Sequence, residues 1–151
     1  MPDDTRPNLA ICNCRNIRQA ARYVTQFYDR HLAPTGLHIS QFGMLAVLKL
    51  KDGLTINELA AELVIDRTTL ARNIQPLERD GLIAVKPSPF DRRSKELHLT
   101  AAGEKRYREA RKYWLAAQAE FETTFGDSRT AELRDLLQSL VASDLVPAQG
   151  P

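Results

Sequence analysis

Few residues in this 151-residue chain have a type and spacing that could do chemistry. Cys12 and Cys14 stand two apart. On a helix, side chains at i and i+2 point about 200° apart, so a helical pair cannot close a disulfide. With no second cysteine pair and no histidine nearby they make a poor zinc set, and His31, His38 and His98 show no ligand spacing. No metal and no cofactor is expected. Nor is there a glycine-rich phosphate loop or a nucleophile motif, so no enzymatic activity is expected. The remaining concentration of active groups is ionic. Asp91-Arg92-Arg93-Ser94-Lys95 is the densest basic run, and Thr68, Arg72, Gln75 and Arg79 recur at the three- and four-residue spacing of one helix side. An arginine fork can make two hydrogen bonds to a guanine edge, and threonine can touch a thymine methyl, so such a side suits the DNA major groove. A basic run suits phosphates or the minor groove.

Composition neither supports nor opposes that chemistry. Twenty-one basic and 19 acidic side chains leave a net charge of only +2, so any basic footprint must be local. No apolar run approaches the roughly 20 residues that cross a bilayer. The start, Met1-Pro2-Asp3-Asp4, lacks the basic, then apolar, then small-residue order of a secretory signal. Two cysteines are too few for a disulfide scaffold, which points to a reducing cytoplasm.

Most of the chain reads as helix. Residues 8–32 place Ile17, Ala20, Ala21, Val24, Phe27 and Tyr28 on one stripe, and Ser40 can cap a helix that runs to about Leu50. Thr55-Ile56-Asn57-Glu58 is a capping box opening a helix to about Leu63. Asp66 is the N-cap of the next, in which Leu70, Ile74 and Leu77 are inward and Thr68, Thr69 and Arg72 outward. Pro76 removes the amide that would bond the Arg72 carbonyl, which predicts a kink, and Gly81 supplies a left-handed stop. The period then changes. Residues 82–85 and 96–99 read as two strands of a hairpin with a long basic tip. Thr100 caps a long helix to about Phe125, Gly126 ends it, and Ser128 starts a last helix carrying Leu133, Leu136, Leu137, Leu140 and Val141.

Two short helices, a tight turn and a hairpin give the outline of a winged helix-turn-helix. The fold expected is mainly α with a small β-hairpin wing. Residues 1–36 form an N-terminal dimerisation helix, 37–100 the DNA-binding domain and 101–151 C-terminal dimerisation helices. The apolar stripes at both chain ends are more than a winged domain of about 60 residues can cover. Packing two copies would bury them and set two recognition helices roughly 34 Å apart.

The chain resembles the MarR family of bacterial transcriptional regulators over essentially its whole length. The matching stretches are Leu59-Ala60 through Arg67-Thr68-Thr69-Leu70, Leu77-Glu78-Arg79-Asp80-Gly81-Leu82-Ile83, Asp91-Arg92-Arg93-Ser94-Lys95 and Leu99-Thr100-Ala101-Ala102-Gly103. The resemblance implies an obligate homodimer that binds double-stranded DNA at an imperfect palindrome, with repression relieved by a small ligand or by oxidation. It places Arg67, Thr68, Thr69, Arg72 and Asn73 on the groove-facing side of the recognition helix. Arg92, Arg93 and Lys95 fall in the wing, where Arg92 and Arg93 match contacts to the minor groove and phosphates, and Asp91 braces the wing. Many members carry a glycine near Val64, and here the turn must close without one.

Two sensors stay open. In the similar family a ligand pocket lies between the dimer helices and the winged domain and often takes aromatic anions, for which Arg15, Tyr23, His38 and Phe42 are candidates. Alternatively Cys14, by its spacing to Tyr28 and Gln41, matches the reactive cysteine of the organic-hydroperoxide-sensing branch. That branch uses two tyrosines near the sulfur; Tyr28 matches one, and Arg18 stands at the other. A winged domain that serves protein interaction without DNA is the remaining alternative.

Overall fold

The computed structural model describes residues 8–146. These contain α1 (Asn13–Leu32), α2 (Ile39–Leu50), β1 (Leu54–Thr55), α3 (Ile56–Leu63), α4 (Arg67–Arg79), β2 (Ile83–Pro87), β3 (Lys95–Leu99), α5 (Ala101–Phe125) and α6 (Asp127–Val141). They fall into two compact units, one ending at Trp114 and one beginning at Leu115. No helix among the described residues is long and apolar enough to cross a membrane.

The stripe from Ile17 to Tyr28 lies in one helix, α1, but residues 8–32 as a whole are not continuous helix. A 3-10 turn, Leu9–Ile11, precedes α1, and Cys12 between them is extended at φ −73°, ψ 108°. Its Sγ accepts the Arg15 N–H at 3.5 Å and so caps α1. The helical argument against a Cys12–Cys14 bridge therefore does not hold, because Cys12 lies outside the helix. Ser40 is likewise not the cap of α2. That helix begins at Ile39, whose N–H is accepted by Asp29 Oδ1 of α1 at 2.7 Å, while Gln41 Oε1 accepts the His38 N–H at 2.9 Å. At the far end, α6 starts at Asp127 rather than Ser128, directly after Gly126 at φ 103°.

The capping box forms as its residues dictate. Thr55 Oγ1 accepts the Glu58 N–H at 3.2 Å and Glu58 Oε2 accepts the Thr55 N–H at 2.7 Å. Asp66 Oδ1 accepts the Thr69 N–H at 2.9 Å, opening α4. Between α3 and α4, Val64 adopts the left-handed conformation at φ 54°, ψ 44°. Ile65 N–H reaches back to the Ala60 carbonyl at 3.0 Å, the long bond of a Schellman turn.

The sheet has three antiparallel strands in the order β1-β3-β2, one more than the hairpin expected. β1 pairs Leu54 with Leu97 and Thr55 with Glu96, so the residue that caps α3 also ties it to the wing. Leu45, Leu48, Leu59, Leu70, Leu77, Ile83 and Leu97 fill the core where α2, α3, α4 and the sheet meet. α5 starts against this sheet. Thr100 Oγ1 accepts the Gly103 N–H at 3.0 Å and donates to the Gly81 carbonyl at 2.6 Å. Further along, Tyr107 and Trp114 each stack on Phe42 of α2, with centroids 5.5 and 5.8 Å away. In the second unit, Arg134 Nη1 donates to Glu122 Oε1 at 3.0 Å and the Arg129 guanidinium lies 4.3 Å from the Phe125 ring centroid.

Candidate nucleic-acid interface

α4 divides into two sides. Leu70, Ile74 and Leu77 are at most 4% exposed and hold the helix to the core. Arg67, Thr68, Thr69 and Arg72 are exposed, whereas Asn73 is half-buried. The Thr69 hydroxyl already donates to Asp66 Oδ2 at 2.5 Å, so what this side chain offers outward is chiefly its methyl. That hydroxyl and the Thr69 N–H hold the Asp66 carboxyl below its ordinary pKa. Pro76 does not break the element, which runs on to Arg79. Arg79 Nε lies 3.5 Å from Asp80 Oδ1, in an ion pair within the chain.

The wing tip is a closed turn. Ser88 N–H donates to the Ser94 carbonyl at 2.8 Å and Ser94 N–H to the Asp91 carbonyl at 3.0 Å. Asp91 Oδ1 accepts the Arg93 N–H at 2.9 Å. Asp91 thus braces the arginine segment through its backbone, and the guanidinium of Arg93 keeps its charge for other partners. Arg92, Arg93 and Lys95 are exposed.

The helix and the wing frame one open cleft of about 380 Å³, with Asn57, Arg67, Asp91, Arg93 and Lys95 on its walls. Three residues named from two separate sequence segments, Arg67, Arg93 and Lys95, therefore converge. Asn57 joins them, which the sequence did not signal: its position in α3 was legible, but its facing the wing depends on the fold. Lys49 and Lys51 have carboxylate partners, Glu104 at 2.9 Å and Glu62 at 2.8 Å. Arg67, Arg72, Arg92, Arg93 and Lys95 have none among the described residues. A row of cations left uncompensated attracts a polyanion from a distance.

Behind the wing, His98 Nδ1 lies 3.0 Å from Asp52 Oδ2 and His98 Nε2 lies 3.3 Å from Glu96 Oε2. Asp52 Oδ1 also accepts the Leu99 N–H at 3.2 Å. Burial pushes the Asp52 carboxyl up, but the bonds from His98 and Leu99 outweigh it and leave its pKa lowered. This cluster locks the α2–β1 turn onto β3, and no sequence spacing announces it. Among the described residues no group of histidine, cysteine and carboxylate side chains is arranged to hold a metal ion.

The sensor candidates occupy different settings. Phe42 is buried in the aromatic stack, His38 Nδ1 lies 3.2 Å from Asp29 Oδ2, and Arg15 and Tyr23 are exposed on α1. Cys14 is exposed and Cys12 half-buried. Tyr28 is half-buried, its ring edge-on to Phe27 at 5.4 Å. Fourteen residues of helix set Cys14 and Tyr28 about 21 Å apart along α1, so the two do not meet within one chain.

Known proteins share this arrangement. A sequence model described as MarR family matches residues 35–94, from just before α2 through the wing tip. The transcriptional regulator MosR of M. tuberculosis, solved in complex with DNA, is 39% identical with a TM-score of 0.74, covering 87% of this chain and 97% of that one. CouR, described as a transcriptional repressor bound to a 23-mer DNA duplex, is 26% identical with a TM-score of 0.80, covering 88% and 94%. YwoH of Bacillus subtilis (strain 168), named an HTH-type transcriptional regulator, is 31% identical over 111 residues, 74% of this chain and 80% of that protein. The winged helix-turn-helix with its uncompensated cationic face, and a relative at 39% identity solved on DNA and matched over 97% of its chain, lead to one conclusion: this chain belongs to the MarR family and is a DNA-binding transcriptional regulator.

Proposed function

We propose that the chain works in the cytoplasm as a homodimeric repressor of a pseudo-palindromic operator. Residues 37–100 read the DNA, and residues 1–36 and 101–151 join the two copies. Arg67, Thr68, Thr69, Arg72 and Asn73 face the major groove, while Arg92, Arg93 and Lys95 take phosphates and the minor groove, with Asp91 bracing them. The observation that carries this reading is the two-sided α4, anchored by three buried aliphatic residues and open along its arginine and threonine side. The dimer is supported by apolar side chains left in water in one chain, Ile17 on α1 and Leu136, Leu137, Leu140 and Val141 on α6. Selection of bound duplexes from a random-sequence pool tests it. The expected product is an inverted repeat with half-site centres one helical turn apart, bound by two chains. Recovery of no salt-sensitive duplex sinks the reading and favours a protein-interaction module.

Release follows if an effector prefers a dimer whose two helices no longer match adjacent half-sites. A small aromatic or anionic ligand suits the seam of α2 and α5, where Phe42 already stacks on Tyr107 and Trp114. A thiol switch is the second reading, favoured by exposed Cys14 in the first turn of α1. There a hydroperoxide would transfer one oxygen to the Cys14 thiolate as its O–O bond breaks. The products are a sulfenic acid and, after protonation, an alcohol. Mass spectrometry and duplex release after limiting peroxide decide it: Cys14→Ser should stay bound where the parent chain lets go.

A further inference from the structure

Phe90 is the most exposed large hydrophobic residue described, at 96%, and it stands on the wing tip between β2 and β3. A ring left wholly in water adds nothing to the fold. Yet this ring is not on a loose loop. Phe90 N–H donates to the Ser88 Oγ at 3.2 Å, Ser88 itself is buried, and the turn is closed by the Ser88, Ser94 and Asp91 backbone bonds described above. The tip therefore holds a bare aromatic side chain two and three residues from Arg92 and Arg93, two cations without a carboxylate partner among the described residues. The same wing lines a cleft with Arg67 through Arg93 and Lys95, so the loop that carries the Phe90 ring adjoins the surface where the wing and α4 would meet a partner. That partner must offer closely spaced anions and flat apolar surface together. A duplex does: phosphates line the minor-groove walls, and sugars and base-pair faces lie between them.

From this placement we infer that Phe90 is a specificity-determining wedge, its ring packed into the minor groove flanking each half-site and partly unstacking one base step there. The inference rests on the DNA-binding reading of the wing and adds a preference that the major-groove side does not supply. Pyrimidine–purine steps unstack most readily, so the wedge selects them at the flank without touching a base edge.

The test uses the full chain and a duplex recovered by selection from a random pool, with 2-aminopurine placed at the flanking step. Phe90→Ala should keep the parent melting temperature, because its ring touches no core. It should bind about tenfold more weakly, in the range seen when aromatic–base stacking is removed. The salt dependence should be unchanged, since an apolar ring displaces no counterions. The 2-aminopurine fluorescence that rises with the parent chain should stay flat, and the flanking-step preference should vanish. Phe90→Trp should retain all three. Parent-like affinity and fluorescence in Phe90→Ala, beside weakened Arg92→Ala, overturns the wedge while leaving the DNA reading intact. So does weaker binding with no change at the 2-aminopurine step. If the parent chain recovers no salt-sensitive duplex, the DNA-binding reading fails and the wedge with it.

Discussion

Arg72 and Arg92 are both exposed arginines, and the physics of a duplex separates what each would do. A guanidinium on a guanine edge discriminates between base pairs, whereas one on a phosphate releases a counterion whatever the sequence. Arg72→Ala should cost roughly 1–3 kcal/mol of binding on the selected operator and far less on scrambled DNA. Uniform loss across sequences would mark Arg72 as a phosphate contact instead. Arg92→Ala should weaken both duplexes alike and reduce the slope of log K against log salt by about 1 for each wing. Titration of the chain competes with both measurements at low pH. Bonds from Thr55 hold the Glu58 carboxyl below its ordinary range, and those from Thr69 do the same for Asp66. A carboxylate whose pKa is lowered by folding stabilises fully above its unfolded value and loses that contribution as protons bind below it. The two helix caps should therefore be unchanged from pH 7 down to about 5 and weaken together below about pH 4. Hydrogen exchange at the Thr55 and Thr69 amides measures this, and protection lost already near pH 6 would contradict it.

The helix-turn-helix elements carry one visible strain and one obligatory gap. Val64 pays for the turn with a left-handed backbone that a β-branched residue rarely adopts. It is largely exposed, so replacing it forfeits little packing. Val64→Asn should raise stability by about 0.5–1 kcal/mol, read as a higher urea midpoint at constant m. Gly103 is the reverse case, since a Cβ there would collide with the Leu82 carbonyl oxygen and press on Leu99. The backbone cannot yield as a flexible side chain would, so Gly103→Ala should cost about 3 kcal/mol in the same assay. This explains in physical terms why Leu99-Thr100 and Gly103 read as a signature: Thr100 caps α5 and Gly103 lets it cross the start of β2. Elements of this kind were legible because their causes are local. The Thr55 and Asp66 caps, the inward register of Leu70, Ile74 and Leu77, the change of period at Leu82 and the outward side of Arg72 all follow from residues a few positions away. What stayed hidden was set at a distance. Asp29 caps α2 from ten residues away, Asp52 meets His98 across 46, and a strand as short as Leu54–Thr55 exists only because β3 lies beside it. The Asn57 wall of the cleft and the exposed ring of Phe90 belong with these, since neither periodicity nor capping chemistry specifies what faces an opening.

At the scale of the whole molecule, α6 leaves an apolar stripe in water. Leu136, Leu137, Leu140 and Val141 recur at one- and four-residue spacing along it, and each is at least 39% exposed in one chain. A stable contact between chains needs about 800 Å² from each partner, and an apolar stripe along a helix is the kind of surface that joins two copies. The consequence for DNA is avidity. In the proposed dimer two recognition helices would bind two half-sites as a single event, which strengthens binding by about 10²–10⁴ over one winged unit alone. Leu137→Asp with Leu140→Asp places two charges in the proposed seam without touching α4 or the wing. This variant should keep its helical circular dichroism and sediment as a monomer. On the full inverted repeat it should bind at least about a hundredfold more weakly, while its affinity for an isolated half-site should match the parent chain's. Equal loss on both duplexes would instead mean that the substitutions disturb the reading unit. A variant that remains a dimer with full operator affinity would show that the chains join through some other surface.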